Sequence, residues 1–205
     1  MKNKFTNDLV EYLTNKHSCH CIILYGSYKN GSFTEESDID LVCFSDTMTS
    51  YNDTEMFQNK RLDVWIYNSE MLKKPKDYLH LNDGTLLIDK KGLGKDFLFK
   101  INQIYKKGPK ILPDDEVKFL KSWLKKMYQR VKKGDIEGNY RYHWLLFDSL
   151  EIYFKIRNLW YLGPKRSLEW LSSNDKKACK LFDSALKINS KILDLEKLVN
   201  HLIDL

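Results

Sequence analysis

Apolar positions in the first half of the chain follow two different periods. In FTNDLVEYLTNK (5–16), Phe5, Leu9, Tyr12 and Leu13 fall at threes and fours, which predicts a first helix with Thr6 as its cap. The pattern then changes to short runs of aliphatic and β-branched residues: HCIILYG (20–26), DIDLVCFS (38–45) and KRLDVWIYN (60–68). Each is the length of a buried strand, and the third shows Leu62, Val64 and Ile66 to the core. SEMLKKPKDYLHLN (69–82) reads as helix broken at Pro75, GTLLIDKKG (84–92) as a fourth short strand, and KDFLFKINQIYKK (95–107) as a helix.

The segment KKGPKILPDD (106–115) holds two prolines and a glycine and interrupts the periodicity, so a domain boundary is expected there, dividing residues 1–110 from 111–205. Beyond it the pattern is helical throughout. Helices are predicted over 116–133 and about 138–162, with shorter ones from Lys165, Asp175 and Ser190. Trp144, Phe147, Leu150, Phe154 and Leu159 recur at threes and fours in the second of these. The expected fold class is therefore α+β, a mixed β-sheet with helices followed by a helical bundle.

Composition narrows the class. A chain of 205 residues with 42% hydrophobic and 13% aromatic residues can bury a proper core. It carries no apolar run long enough to cross a bilayer, and MKNKFTNDLVEYLTNKH lacks the apolar centre of a signal peptide, so a cytoplasmic, non-membrane protein is expected. The net charge of +6 suits a phosphate-bearing partner, but the basic residues alternate with acidic ones as on solvated helix faces. Among the four cysteines, HSCHC (17–21) lacks the second ligand pair of a structural zinc site. Strand alternation predicts buried thiols, with Cys19 and Cys21 on one face.

The chemistry sits between the first two strands. Asp38 and Asp40, two apart on a strand, project to one face with Cα atoms about 6.5 Å apart. At an effective dielectric of about 20 they repel by roughly 2–3 kcal/mol. A divalent cation is the natural offset, since Mg²⁺ takes hard oxygen ligands. Asp63 interrupts the third strand on the face opposite Leu62, Val64 and Ile66, where a neighbouring strand could deliver it beside the first two. Three carboxylates at one sheet edge would form a two-metal phosphoryl-transfer set. The alternative makes Asp38 a turn residue and Asp63 a surface residue. The turn after the first strand favours the functional reading: Gly26 lets backbone approach a ligand, and Ser27 with the following amides can bind phosphate oxygens.

Gly26-Ser27, ten intervening residues, Asp38-Ile39-Asp40-Leu41 and Asp63 on a later strand resemble the signature of the polymerase-beta-like nucleotidyltransferase superfamily. Gly31 and Ser37 also match frequent positions of it. The resemblance implies a minimal palm-like catalytic domain over 1–110. In it Asp38, Asp40 and Asp63 hold two Mg²⁺ ions, for which Mn²⁺ can substitute, and Gly26 and Ser27 bind the nucleoside triphosphate. Many members carry a basic residue directly after Gly-Ser. This chain has Tyr28 and then Lys29, which becomes the candidate basic phosphate contact.

FDSLEIYFKIRNLWYLGPKRSLEWL (147–171) is similar to the C-terminal helical domain of kanamycin-type (aminoglycoside) nucleotidyltransferases. That resemblance implies a substrate- and nucleotide-binding domain over 111–205, with Glu151 near the acceptor hydroxyl and Lys155 near the triphosphate. The spacing by itself also fits a solvent-exposed Glu–Lys pair. Tyr140, Arg141 and His143 precede these residues, with no Arg-x4–6-His ribonuclease motif around them. The implied activity is transfer of AMP from ATP to a hydroxyl of a small molecule such as an antibiotic, releasing pyrophosphate. Alternatives are nucleotidylation of a protein or RNA end, and a non-catalytic antitoxin-like binding module.

Overall fold

The structure, a computed structural model, describes residues 4–31, 33–47 and 49–205. It divides into two units, Met1–Lys107 and Gly108–Leu205, each considered in turn.

The N-terminal unit begins with α1 (Lys4–His17), followed by β1 (Cys21–Leu24), the short α2 (Gly26–Asn30) and β2 (Ile39–Ser45). Thr6 lies inside α1 and is therefore not its cap. Two short strands, β3 (Tyr51–Asp53) and β4 (Met56–Phe57), precede β5 (Lys60–Asn68); β6 (Thr85–Asp89) and α3 (Leu93–Lys107) complete the unit. Between β5 and β6 the chain forms two 3₁₀ turns, Ser69–Lys73 and Pro75–Leu81, where the sequence pattern predicts an interrupted helix. Pro75 brings no N–H to continue the first turn, and the Asn68 side chain caps that turn by accepting from the Glu70 N–H at 3.0 Å.

The sheet order is β3-β5-β2-β1-β6, with β4 paired to β5. Strands β2 and β5 run parallel, while β1–β2, β1–β6 and β3–β5 are antiparallel. Alternation sorts the side chains onto two faces. On one, Ile39, Leu41, Cys43, Leu62, Val64 and Ile66 pack with Leu9 and Leu13 of α1. On the other, Phe44 and Tyr67 sit in register and meet Tyr78 and Phe97 in edge-to-face and tilted ring contacts. That aromatic cluster covers one end of the second face; the other end carries the aspartates.

Cys19 and Cys21 lie on opposite faces, against the sequence expectation. β1 begins only at Cys21, so Cys19 lies before the strand, where strand alternation does not hold. Cys19 packs with Cys43 in the α1-side cluster. Gly94 lies against the Cys21 sulfur, because a Cβ there would stand 2.5 Å from Sγ. Burial pushes the Cys21 thiol up to about 12, and all four cysteines are free.

The C-terminal unit is all helical: α4 (Asp114–Val131), α5 (Ile136–Ile156), α6 (Pro164–Asn174), α7 (Lys176–Leu186) and α8 (Ile192–Asp204). Leu124, Leu145, Tyr153, Phe154, Phe182, Leu195 and Leu198 are among the residues of its core. Asp135 caps α5 by accepting from Gly138 N–H at 2.7 Å. Asp175 caps α7 through Ala178 N–H and also accepts from the buried Tyr153 hydroxyl at 2.8 Å. Helix α5 stops short of the expected 162. Asn158 turns left-handed at φ 52° and Leu159 N–H returns to the Phe154 carbonyl at 2.8 Å, a C-terminal closure. Trp144 and Phe147, which the periodicity places on the packed stripe, are 41% and 71% exposed, whereas Leu150 and Phe154 are buried. Among the described residues no helix is long and apolar enough to cross a membrane.

Candidate active site

The parallel pairing of β2 with β5 sets Asp40 directly opposite Asp63. Adjacent strands lie about 4.8 Å apart. Because Leu41 and Val64 both face α1, the two aspartates project together from the other face. The sequence places these residues on separate strands; the fold makes them neighbours.

The turn after β1 closes on the same spot. Tyr25 N–H donates to the Asp40 carbonyl at 3.1 Å, and Gly26 follows at φ 72°. A Cβ at Gly26 would stand 2.0 Å from Asp40 Oδ2, so only glycine satisfies both the backbone conformation and the contact. Ser27 is buried, at 8% exposure. The Gly-Ser turn and the first strand aspartate are thus one packed unit.

Asp38 lies on the loop entering β2, half exposed, with Oδ1 4.0 Å from Arg61 Nε. Asp63 Oδ1 accepts from Asn52 Nδ2 at 2.6 Å. Burial, with the Asp63 charge adding to it, holds the Tyr67 phenol above its ordinary range. Beyond Asp63 on the same side of β5, Trp65 is 40% exposed and stacks on Tyr67 with ring planes 12° apart. Lys29 Nζ is 3.7 Å from Asp83 Oδ2.

These carboxylates offer the hard oxygen donors that Mg²⁺ takes, and two of them stand side by side. In donor chemistry the set fits a divalent cation. Three carboxylates gathered at ligand spacing are not seen, however: among the described residues no group of three or more His, Cys, Asp or Glu side chains is placed to hold a metal ion.

Glu151 and Lys155 belong to the C-terminal unit, on the last turns of α5, where they pair at 2.7 Å with both side chains substantially exposed. One turn earlier is Asp148, which sequence reasoning did not single out. Its carboxyl is raised above the usual range by burial; the Glu151 charge adds to this, while a Trp144 hydrogen bond and Lys155 oppose it. Arg141 lies over the Trp144 ring, 5.0 Å from its centroid, and pairs with Glu137 at 3.0 Å.

Asn52, Arg61 and Trp65 were also missed. Arg61 and Trp65 follow from alternation once Asp63 is chosen, since they share its face. Asn52 sits on a strand of three residues, below the length at which a period can be read.

Residues 7–103 match the family model described as polymerase beta, nucleotidyltransferase. The crystal structure of a nucleotidyltransferase-like protein from Exiguobacterium sibiricum 255-15 is similar to the chain at a TM-score of 0.45 and 12% identity, covering 98% of this chain and 74% of that one. No curated protein matches. The matched span contains Gly26, Ser27, Asp38, Asp40 and Asp63 together, and it supports the polymerase-beta-like nucleotidyltransferase superfamily for the N-terminal unit.

Proposed function

We propose that the chain transfers a nucleoside monophosphate, AMP from ATP, to a hydroxyl of a small molecule. The acceptor oxygen bonds to the α-phosphorus, the bond from that phosphorus to the bridging oxygen breaks, and pyrophosphate leaves. The observation that carries this reading is the Asp40–Asp63 pair in register with the Gly26 turn packed on Asp40.

In this reading Asp38, Asp40 and Asp63 would hold Mg²⁺, two ions in the full site, and the metal would neutralise charge on the triphosphate and on the leaving pyrophosphate. Asp63 accepts the proton of the acceptor hydroxyl. A base must first be within hydrogen-bond reach of that proton, and Asp63 is the carboxylate whose strand position is fixed beside Asp40. Gly26 keeps space open along the backbone, and Ser27 orients phosphate oxygens. Lys29 supplies positive charge on the same short helix by exchanging Asp83 for phosphate. Glu151 for the acceptor and Lys155 for the triphosphate are roles proposed from the resemblance of residues 147–171 to kanamycin-type enzymes, not from where α5 lies. Most of the rate enhancement comes from positioning and electrostatics, since phosphoryl transfer needs little covalent help.

The test is incubation of the purified chain with α-³²P-labelled NTPs and Mg²⁺ against three acceptor classes: a panel of hydroxylated antibiotics, candidate protein partners, and tRNA. Label on a small molecule supports the proposal. Label on protein or RNA moves the acceptor class while keeping the chemistry, and no label on any acceptor with any NTP favours a binding module.

A further inference from the structure

Strand β3 is three residues long, yet both of its outer side chains are tied to α1. The Tyr51 hydroxyl donates to His17 Nδ1, and His17 Nε2–H donates to Asp53 Oδ2 at 2.7 Å. The Lys16 ammonium donates to the same carboxylate at 2.9 Å, while Glu55 N–H donates to Asp53 Oδ1 at 3.0 Å. His17 and Asp53 are 2% and 6% exposed. A ladder this short contributes little by itself, so this buried network is what fixes β3 on the sheet.

Alternation then sends Asn52, between the two anchors, to the opposite face. There it pairs with Trp65 across the strands and donates to Asp63 at 2.6 Å. The chemistry of that donor matters. A Lys or Arg in its place would form an ion pair with Asp63 and compete with a bound cation. A carboxylate would add to the repulsion. A neutral amide fixes the orientation of the carboxylate and leaves its charge available.

We infer that Asn52 is a positioning residue for Asp63: it occupies Oδ1 and presents Oδ2 to the metal and the reacting hydroxyl, with the Tyr51–His17–Asp53 network as its mount. The inference rests on the reading of this edge as the transfer site. Groups that hold metal-binding side chains in place commonly change metal affinity by 10–100-fold when removed, so the effect is measurable without the acceptor.

The test uses Mn²⁺ as probe, with free Mn²⁺ followed by electron paramagnetic resonance, on the full chain and its Asn52→Leu, Asp63→Asn and doubly substituted forms. Thermal unfolding is followed on the same four proteins. Asn52→Leu, which keeps the branching at Cγ but has no donor, is expected to weaken Mn²⁺ binding about tenfold and to have no further effect once Asp63 is Asn. Asn52→Ser, too short to reach Asp63, carries the same expectation should the leucine form not fold. If Asn52→Leu bound Mn²⁺ like wild type while Asp63→Asn lost it, the inference would fall and the site would stand. An equal loss in both backgrounds would make Asn52 merely structural and also overturn it. If wild type bound no Mn²⁺, or bound it independently of Asp63, the site reading itself would fail and take the inference with it.

Discussion

Asp53 and Asp63 lie on adjacent strands, separated by one step of register, since Asp53 pairs with Val64. They face opposite sides of the sheet and live in opposite electrostatic conditions. Asp53 is buried, and the chain itself supplies the compensation: a lysine, a histidine and a backbone amide all donate to it. Asp63 is partly buried, accepts from a neutral amide and stands in register with another aspartate. Two like charges about 5 Å apart repel by roughly 3 kcal/mol at an effective dielectric of about 20, less where water screens them. The first arrangement compensates its charge with three donors; the second sets two carboxylates side by side. The first is a structural bolt, and the second is the edge proposed above as the transfer site.

The two aspartates should differ most visibly in activity. Asp63→Asn and Asp40→Asn should each lower transfer to a responsive acceptor by about 10³-fold or more while the protein stays folded, with a melting temperature equal to or above that of wild type. Turnover within tenfold of wild type for either variant would place both aspartates with Asp53 as structural. Glu151→Gln should cost about 10²-fold, the order expected when an acceptor loses its orientation. A pH–rate profile on each variant separates the roles: were Glu151→Gln inactive but still able to bind Mg-NTP, and Asp63→Asn only mildly impaired, the two would have to be exchanged.

Asp53→Asn should act on stability instead, costing about 2 kcal/mol, below the usual figure for breaking a buried pair because Lys16 is one-third exposed. The difference extends to pH. Burial alone would raise the Asp53 carboxyl, but hydrogen bonds from Lys16, Glu55 N–H and His17 hold it below the usual carboxylate range. A carboxyl lowered in the folded state stabilises the protein above its unfolded pKa, and the contribution is lost as pH falls through the folded value. Wild type should therefore lose stability below about pH 4, and Asp53→Asn should show a flatter profile there in urea titrations. The smallest effect is expected at Ser27. Its hydroxyl contacts phosphate in ground and transition states alike, so Ser27→Ala should raise the KM for ATP several-fold with kcat little changed. A loss confined to kcat would remove the phosphate-cradle role.

Strands β1, β2, β5 and β6, helices α1 and α3 and the helical second half were legible because each carries an apolar run or a period long enough to read. The pairing of Asp40 with Asp63 was legible only as a possibility. Alternation gives the face of each aspartate, but adjacency depends on β5 lying parallel beside β2, a matter of topology rather than local pattern. β3 and β4 were invisible: three and two residues carry no period, and β3 is held by its bonds to α1 more than by propensity. Asn52 went unseen for the same reason. On α5 the opposite error occurred. Trp144 and Phe147 fit an apolar stripe by spacing yet stay exposed, because periodicity reports which side chains share a face and not how far a neighbouring helix extends to cover it.

In the reading proposed above, the in-register aspartates bind a metal-complexed nucleotide. Isothermal calorimetry with a non-hydrolysable ATP analogue on the full chain tests it most directly, with and without Mg²⁺, for wild type and Asp40→Asn. Wild type should bind the analogue only with Mg²⁺, and Asp40→Asn should not bind it. Binding of equal strength without Mg²⁺, or binding unchanged by Asp40→Asn, would contradict this reading.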